Sequence, residues 1–169
     1  MRRLGFRRAS FGFAGVLSLA ACTAAAEETR TVPLAGPEAG IRFRAADAVD
    51  AFKAGATLYT DRPYTLKECP AWLSGKRFLR SSITRSDFRV VRTGVLTMLT
   101  PPDEGADFPS QVAALERRGF VRINEPDSFQ VFGTNRFERA HIYQKCVRPG
   151  ERLTFGKWAI AVGVDAESA

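Results

Sequence analysis

The sequence has few of the residues on which most catalytic and metal sites depend. It contains one histidine, His141, three cysteines and two methionines among 169 residues. A zinc site needs three or four clustered nitrogen, sulfur or carboxylate ligands, and a hydrolytic triad needs a histidine beside a nucleophile. His141 instead lies in an alternating stretch typical of a strand, where a histidine is structural or solvated. We therefore expect a protein that is not an enzyme and that has no metal and no cofactor.

The sequence also lacks long apolar runs, internal repeats and a second domain. After residue 26, no stretch is long and apolar enough to cross a bilayer as a helix. The one long apolar segment, Phe11–Ala21, is about eleven residues long, too short for a stable transmembrane span. A positively charged N-terminal region that begins Met1-Arg-Arg precedes this segment, and small residues ending at Ala26 follow it. This order is typical of an export signal.

Two cleavage sites fit this signal. Leu19-Ala20-Ala21-Cys22 resembles the lipobox of bacterial lipoproteins, which implies a signal peptide of residues 1–21 and a lipid on Cys22. The alternative is ordinary cleavage after Ala26. The protein is therefore expected to be exported, periplasmic or in the cell envelope, and anchored to the outer membrane by lipid if it is cut before Cys22.

The net charge argues against a nucleic-acid partner. The full chain carries +7, but residues 1–21 hold four of its 25 basic residues and none of its 18 acidic ones. The exported chain is then left with about +3, which is an ordinary surface charge.

The two remaining cysteines, Cys69 and Cys146, suggest a disulfide. Exported proteins fold in oxidising compartments, and this bond would close a loop worth about 4 kcal/mol in the chain-entropy model. The alternative is two buried thiols.

The pattern along the rest of the chain predicts a mainly β fold. Residues 22–40 are rich in Ala, Glu, Pro and Gly and predict a flexible tether. Residues 41–166 contain short alternating stretches separated by turns, which indicate a single β-sandwich, jelly-roll-like. A short helical turn is expected at 47–53, and strands at 56–60 and 64–67. One helix near 109–118 is expected to be capped by Asp107 and to end at Gly119.

One block carries a family resemblance. It runs from Gly55 through Tyr59-Thr-Asp-Arg62-Pro-Tyr64 and Cys69-Pro-Ala-Trp72 to Gly75. It resembles a strand–turn–strand unit of β-sandwich accessory domains attached to secreted bacterial polysaccharide-degrading proteins. Their later Gly-aromatic helix end is similar to Gly119-Phe120. The polar stretch that follows their first hairpin is often rich in Asn and Asp, whereas here it is SSITRSD.

The resemblance implies a binding role, which suits carbohydrate because sugar rings present apolar C–H faces to aromatic side chains. Trp72 is the best candidate platform, with Tyr64, Arg62 and Tyr59 as neighbours in sequence. The alternative for each aromatic ring is a place in the core. We expect an exported, envelope-anchored, non-catalytic binding module with carbohydrate as the candidate ligand. The alternative is a structural or assembly lipoprotein that contacts another envelope protein through the Arg136–Arg139 neighbourhood.

Overall fold

The fold is described from a computed structural model, which covers residues 30, 32–102, 110–134 and 138–168. The predicted signal, the lipobox with Cys22, and the expected helix cap Asp107 lie outside these described residues. Within them, no helix has the length and apolarity that a membrane crossing requires.

Two sheets packed face to face form a sandwich, which confirms the predicted fold class. The smaller sheet has the strand order β11-β1-β4-β9, and the larger sheet has the order β2-β3-β10-β5-β8-β6, with β7 paired to β8. The strands are β1 (Ala39–Phe43), β2 (Ala48–Ala51), β3 (Arg77–Arg80), β4 (Ser86–Arg92), β5 (Gly94–Thr100), β6 (Val121–Ile123), β7 (Phe129–Gln130), β8 (Arg139–Val147), β9 (Arg152–Phe155), β10 (Ile160–Val162) and β11 (Val164–Ser168). All pairs are antiparallel except β1 with β11.

Side-chain alternation builds the core between the sheets. In β1, Ile41 and Phe43 are buried while Arg42 is exposed, as the sequence pattern predicts for a half-buried strand. In β5, Leu96 and Met98 face the same inter-sheet core. The two inner faces therefore bury a continuous apolar layer, the largest favourable term in the stability of such a fold.

The larger sheet buries its outer face as well. Phe78, Leu99 and Ile142 point away from the smaller sheet into a second apolar cluster. No third sheet covers them in the described part of the chain. Instead, residues 52–75 and 129–132 lie over this face and contribute buried side chains such as Phe52, Leu58, Leu66, Leu73 and Phe132.

Two predicted elements require correction. Residues 48–51 form strand β2 at the edge of the larger sheet rather than a helical turn, because pairing with β3 satisfies their backbone groups. The predicted strands at 56–60 and 64–67 form only a short pairing with each other, the bridge Thr57–Thr65 flanked by bonds from the Leu58 amide to the Tyr64 carbonyl and from the Leu66 amide to the Ala56 carbonyl. They join neither large sheet, and their apolar side chains pack onto the outer face of the larger one.

The predicted helix is present and shorter, as α1 (Val112–Arg117). Leu115 is its buried residue. Gly119 adopts φ 76° directly after it, so the expected glycine stop is confirmed. Near the end of the described chain, Gly163, with φ 69°, separates β10 from β11.

The predicted flexible tether requires correction for its described residues. Arg30 bridges to Ile123 of β6, the Leu34 amide donates to Gln144 at 2.7 Å, and the Val95 amide donates to the Pro37 carbonyl at 2.8 Å. β1 itself begins at Ala39. We call residues 32–38 the N-terminal strap, because they cross the outer face of the larger sheet and are hydrogen-bonded to it.

The predicted Cys69–Cys146 disulfide is also wrong, because Cys69 is a free thiol. Its Sγ donates weakly to the Phe52 carbonyl at 3.6 Å, within the segment that covers the larger sheet. Cys146 lies on β8, opposite Val95. Cys146 is itself disulfide-bonded, so it is the pairing that the sequence reasoning assigned wrongly.

Replacing Gly94 by alanine is expected to destabilise the sandwich. A Cβ at this position would lie 2.5 Å from the carbonyl carbon and oxygen of Glu38 and 2.6 Å from the Ala39 nitrogen. Backbone atoms cannot move aside as a side-chain end can, so we expect a loss of about 2 kcal/mol or more in urea unfolding.

Gly156→Ala is the matched control, because its added Cβ would meet the end of the Gln111 side chain at 3.1 Å. We expect this variant to unfold within about 0.5 kcal/mol of wild type. Equal stability of both variants would contradict the close strap–β5 contact.

Candidate functional site

A concave cavity of about 230 Å³ lies on the outer face of the larger sheet. The N-terminal strap forms one side of it, and the turn that carries Trp72 and Lys76 forms another. Its lining comprises Pro33, Leu34, Gly36, Pro37, Glu38, Trp72, Lys76, Val95, Thr97, Gln144 and Gly163.

The floor of the cavity is polar because two facing strands place a hydroxyl and an amide there. Thr97 of β5 lies directly opposite Gln144 of β8 in the sheet register. Gln144 Nε2 donates to Thr97 Oγ1 at 2.9 Å, and Gln144 Oε1 accepts from the Leu34 amide. Both side chains are almost fully buried, so these bonds replace water that the groups lose on folding.

An ion pair forms the charged part of the wall. Lys76 Nζ lies 3.1 Å from Glu38 Oε1, and about a third of each side chain is exposed. A lysine ammonium carries three N–H donors and a carboxylate has several acceptor positions. The pair therefore offers both donors and acceptors to a ligand beside a surface already shielded from part of the solvent.

Trp72 supplies the aromatic wall. It lies in a tight turn in which the Leu73 amide donates to the Pro70 carbonyl at 2.9 Å, and Gly75 ends that turn with φ 80°. The indole Nε1 donates to the Glu125 carbonyl at 2.8 Å. This bond fixes the ring orientation, so a ligand would meet a rigid apolar face at low entropic cost.

Tyr59 and Tyr64, two of the other predicted site residues, belong to a different cluster. Tyr64 is 37% exposed and stacks on Phe132 with ring centroids 4.9 Å apart. Tyr59 is 2% exposed and meets the Trp158 ring edge-on at 5.9 Å. Burial raises the pKa of the Tyr59 hydroxyl well above its usual value. Tyr59 and Trp158 are thus core residues.

Asp61 and Arg62 occupy the turn between those tyrosines. Asp61 Oδ1 accepts from the Ile83 amide at 2.9 Å and Oδ2 from the Ser82 hydroxyl at 2.6 Å, bracing the β3–β4 turn. Arg62 is exposed and donates to the Asp61 carbonyl at 2.8 Å. The structure therefore separates the four predicted residues by the cavity: Trp72 packs against the second apolar cluster and also lines the cavity, while Arg62, Tyr59 and Tyr64 lie outside the cavity.

His141 takes part in a polar contact on the other face of β8. Its Nε2 lies 2.9 Å from Arg122 Nη2, and Arg122 also pairs with Asp127. Among the described residues, no three potential metal ligands converge. Arg139, from the proposed assembly surface, donates to Ser128, while Arg136 and Phe137 lie outside the described residues.

Sequence reasoning missed Glu38, Lys76, Thr97 and Gln144. Glu38 falls in the segment interpreted as a tether, and the other three look like ordinary polar residues in their strands or turns. The one available signal is Gln144, a polar residue at an even position of β8 whose even neighbours Ala140 and Ile142 are buried.

The fold and this cavity together define a β-sandwich module with a concave site on one outer face. No protein-family model matches the chain. No curated protein matches it either.

Solved structures with a similar fold include a glycoside hydrolase family 138 enzyme targeting pectin rhamnogalacturonan II, at TM-score 0.51 and 16% identity over 83% of this chain. A β-glucuronidase from glycoside hydrolase family 2 matches 69% of this chain at TM-score 0.49 and 12% identity. The chain spans 17% and 13% of those two proteins. At these identities the likeness shows the fold alone, a β-sandwich resembling one part of each larger enzyme.

Asp61→Asn is expected to make the stability of the protein less dependent on acid pH. Partial burial raises the pKa of Asp61, but the bonds from Ser82 and Ile83 outweigh it and hold the pKa below its usual value. The charged form therefore adds stability above the unfolded pKa near 4, and this is lost as pH falls through the lower folded pKa.

Urea unfolding should show wild type more stable than Asp61→Asn at pH 7 by less than about 1 kcal/mol, because solvent screens the interactions of this exposed carboxylate, with the difference vanishing near pH 2. Asp50→Asn, an exposed aspartate on β2, serves as the control. A difference that is the same at both pH values would show that the carboxylate charge does not brace this turn.

Proposed function

We propose that this protein is an exported, non-catalytic binding module that takes carbohydrate in the cavity beside Trp72. The observation that carries the proposal is the juxtaposition of one rigid aromatic face with the Lys76–Glu38 pair in a concave site. Ligand sites generally combine an apolar wall with a few fixed polar groups, and a sugar ring needs both.

Each part of the cavity suits one part of a sugar. The C–H face of a pyranose ring is apolar and packs on an indole ring, whose burial against it removes apolar area from water. The ring hydroxyls both donate and accept, so adjacent hydroxyls can accept from Lys76 and donate to Glu38. Bonds to charged groups are stronger than neutral ones.

The size of the cavity indicates the size of the ligand. At about 230 Å³ it is smaller than the roughly 300–1,000 Å³ of sites for drug-sized ligands. The strap and the Trp72 turn bound it on two sides. We therefore infer that it accommodates a single sugar ring, such as the end of a chain or a side branch, rather than a long polysaccharide segment.

Binding rather than cleavage is proposed because of the carboxylates. Glycoside hydrolysis generally uses two carboxyl groups about 5–9.5 Å apart. The described lining of this cavity includes one, Glu38, which is already paired with Lys76. The glycoside hydrolases of similar fold support a carbohydrate setting, since the chain resembles a part of such proteins.

The proposed location is the cell envelope, with Cys22 carrying the lipid. The strap begins ten residues after Cys22, so an anchored protein would hold its sandwich close to the membrane surface.

Trp72→Ala is expected to weaken glycan retention at least about tenfold, as removal of a central aromatic anchor usually does. Native gels containing a panel of neutral and acidic polysaccharides, pectin included, measure this by retardation. Lys76→Met should weaken retention as well, because it removes the charged donor.

Tyr64→Ala is the matched control, since it removes an exposed aromatic ring outside the cavity. It should retain wild-type affinity. If Tyr64→Ala loses retention and Trp72→Ala does not, the glycan site lies at the second cluster instead of the cavity. If no polysaccharide retains the wild-type protein, the proposal is wrong.

Mass spectrometry of protein purified from its native envelope should find an acylated Cys22 at the N-terminus. The corresponding Cys22→Ser variant should be recovered in the soluble fraction, because it lacks the acceptor thiol. An N-terminus at Glu27 in wild type would show that ordinary signal cleavage occurs and that the anchor is absent.

A further inference from the structure

The N-terminal strap is part of the cavity rather than a neighbour of it. Five of its seven residues, from Pro33 to Glu38 with the exception of Ala35, line the cavity. If the strap lifts from the sheet, the cavity loses a wall, and Lys76 loses its partner Glu38. The cavity therefore exists only while the strap is held down.

Besides the Lys76–Glu38 ion pair, three hydrogen-bonded contacts among the described residues hold the strap and its approach, and they differ in kind. At its near end, Arg30 pairs with β6 through backbone bonds of 2.9 and 2.8 Å. At its far end, the Val95 amide donates to the Pro37 carbonyl. Between them lies the bond from the Leu34 amide to the buried Gln144 side chain.

The middle contact is the one that depends on a single side chain. Gln144 is 3% exposed and is oriented by its second bond, to Thr97. Both prolines of the strap lack an N–H, so few backbone donors are available to hold it by ordinary strand pairing. Val32, just before Pro33, is 69% exposed and adds little packing.

We propose that Gln144 is a positioning residue that builds the ligand cavity by fixing the strap. The proposal extends the proposed carbohydrate site, and by linkage a ligand in the cavity also stabilises the docked strap.

The test measures strap opening without any ligand. Gln144→Leu removes the acceptor, and Leu34→Pro removes the donor of the same bond. Each variant should speed hydrogen exchange of the 32–38 segment about tenfold, the factor expected for one lost hydrogen bond. Each should also increase acrylamide quenching of Trp72, since Trp158 is 6% exposed and shielded.

Two comparisons separate this role from general destabilisation. The double variant should open no further than either single one, because both changes remove one interaction. Gln130→Leu removes another buried glutamine, whose amide donates to the Phe132 carbonyl outside the cavity, and should leave strap exchange unchanged.

Unchanged strap exchange in a folded Leu34→Pro or Gln144→Leu protein would overturn the inference, as would equal opening in Gln130→Leu. The pectin-containing gel then distinguishes the two proposals. If the strap opens in these variants but retention in that gel is unaffected, the strap role holds and the cavity is not the glycan site. If polysaccharide retention falls only in the variants whose strap opens, the strap role of Gln144 and the glycan site in the cavity are both supported.

Discussion

The structure depends on one constraint: the larger sheet is apolar on both faces. One face packs on the smaller sheet, as in any sandwich. The other must also be removed from water, because side chains such as Phe78, Leu99 and Ile142 would otherwise expose a wide apolar surface. Here irregular segments cover the outer face of the larger sheet, and such segments leave gaps where they meet. The cavity lies in such a gap, at the junction of the strap and the Trp72 turn.

The polar groups of that gap satisfy a second constraint. Where the covering is incomplete, the sheet presents Thr97 and Gln144 rather than aliphatic residues. Their hydrogen bonds to each other and to the strap satisfy polar atoms that water cannot freely reach. A concave surface with fixed donors and acceptors results from packing needs alone. The aromatic wall and the ion pair support the proposal of a polyhydroxylated ligand.

The sequence predicts the layers of this fold better than it predicts the site. Alternation in β1, the helix ending at Gly119 and the turns between strands report local geometry, and each was predictable. The pairing of Cys69 with Cys146 was predicted wrongly, and the described part of the predicted tether is hydrogen-bonded to the sheet, because both depend on contacts between segments far apart in the chain. Trp72 was chosen from its type and its turn, and it lines the cavity. Glu38 and Gln144 were not found, since their roles arise only when the strap crosses the sheet, and Tyr59 is chemically similar to a platform residue but is buried.

The parallel pairing of β1 with β11 has a mechanical consequence. Ala39 faces Val164 and Phe43 faces Ser168, so the chain enters the smaller sheet at one end of this pair and leaves β11 at the other. A force applied between the two ends would pull the strands along their axes in opposite directions. All of their hydrogen bonds would then be loaded together in shear, rather than opened one by one as in a zipper. A domain tethered on its N-terminal side could thus bear load across the smaller sheet while its inter-sheet core stays closed.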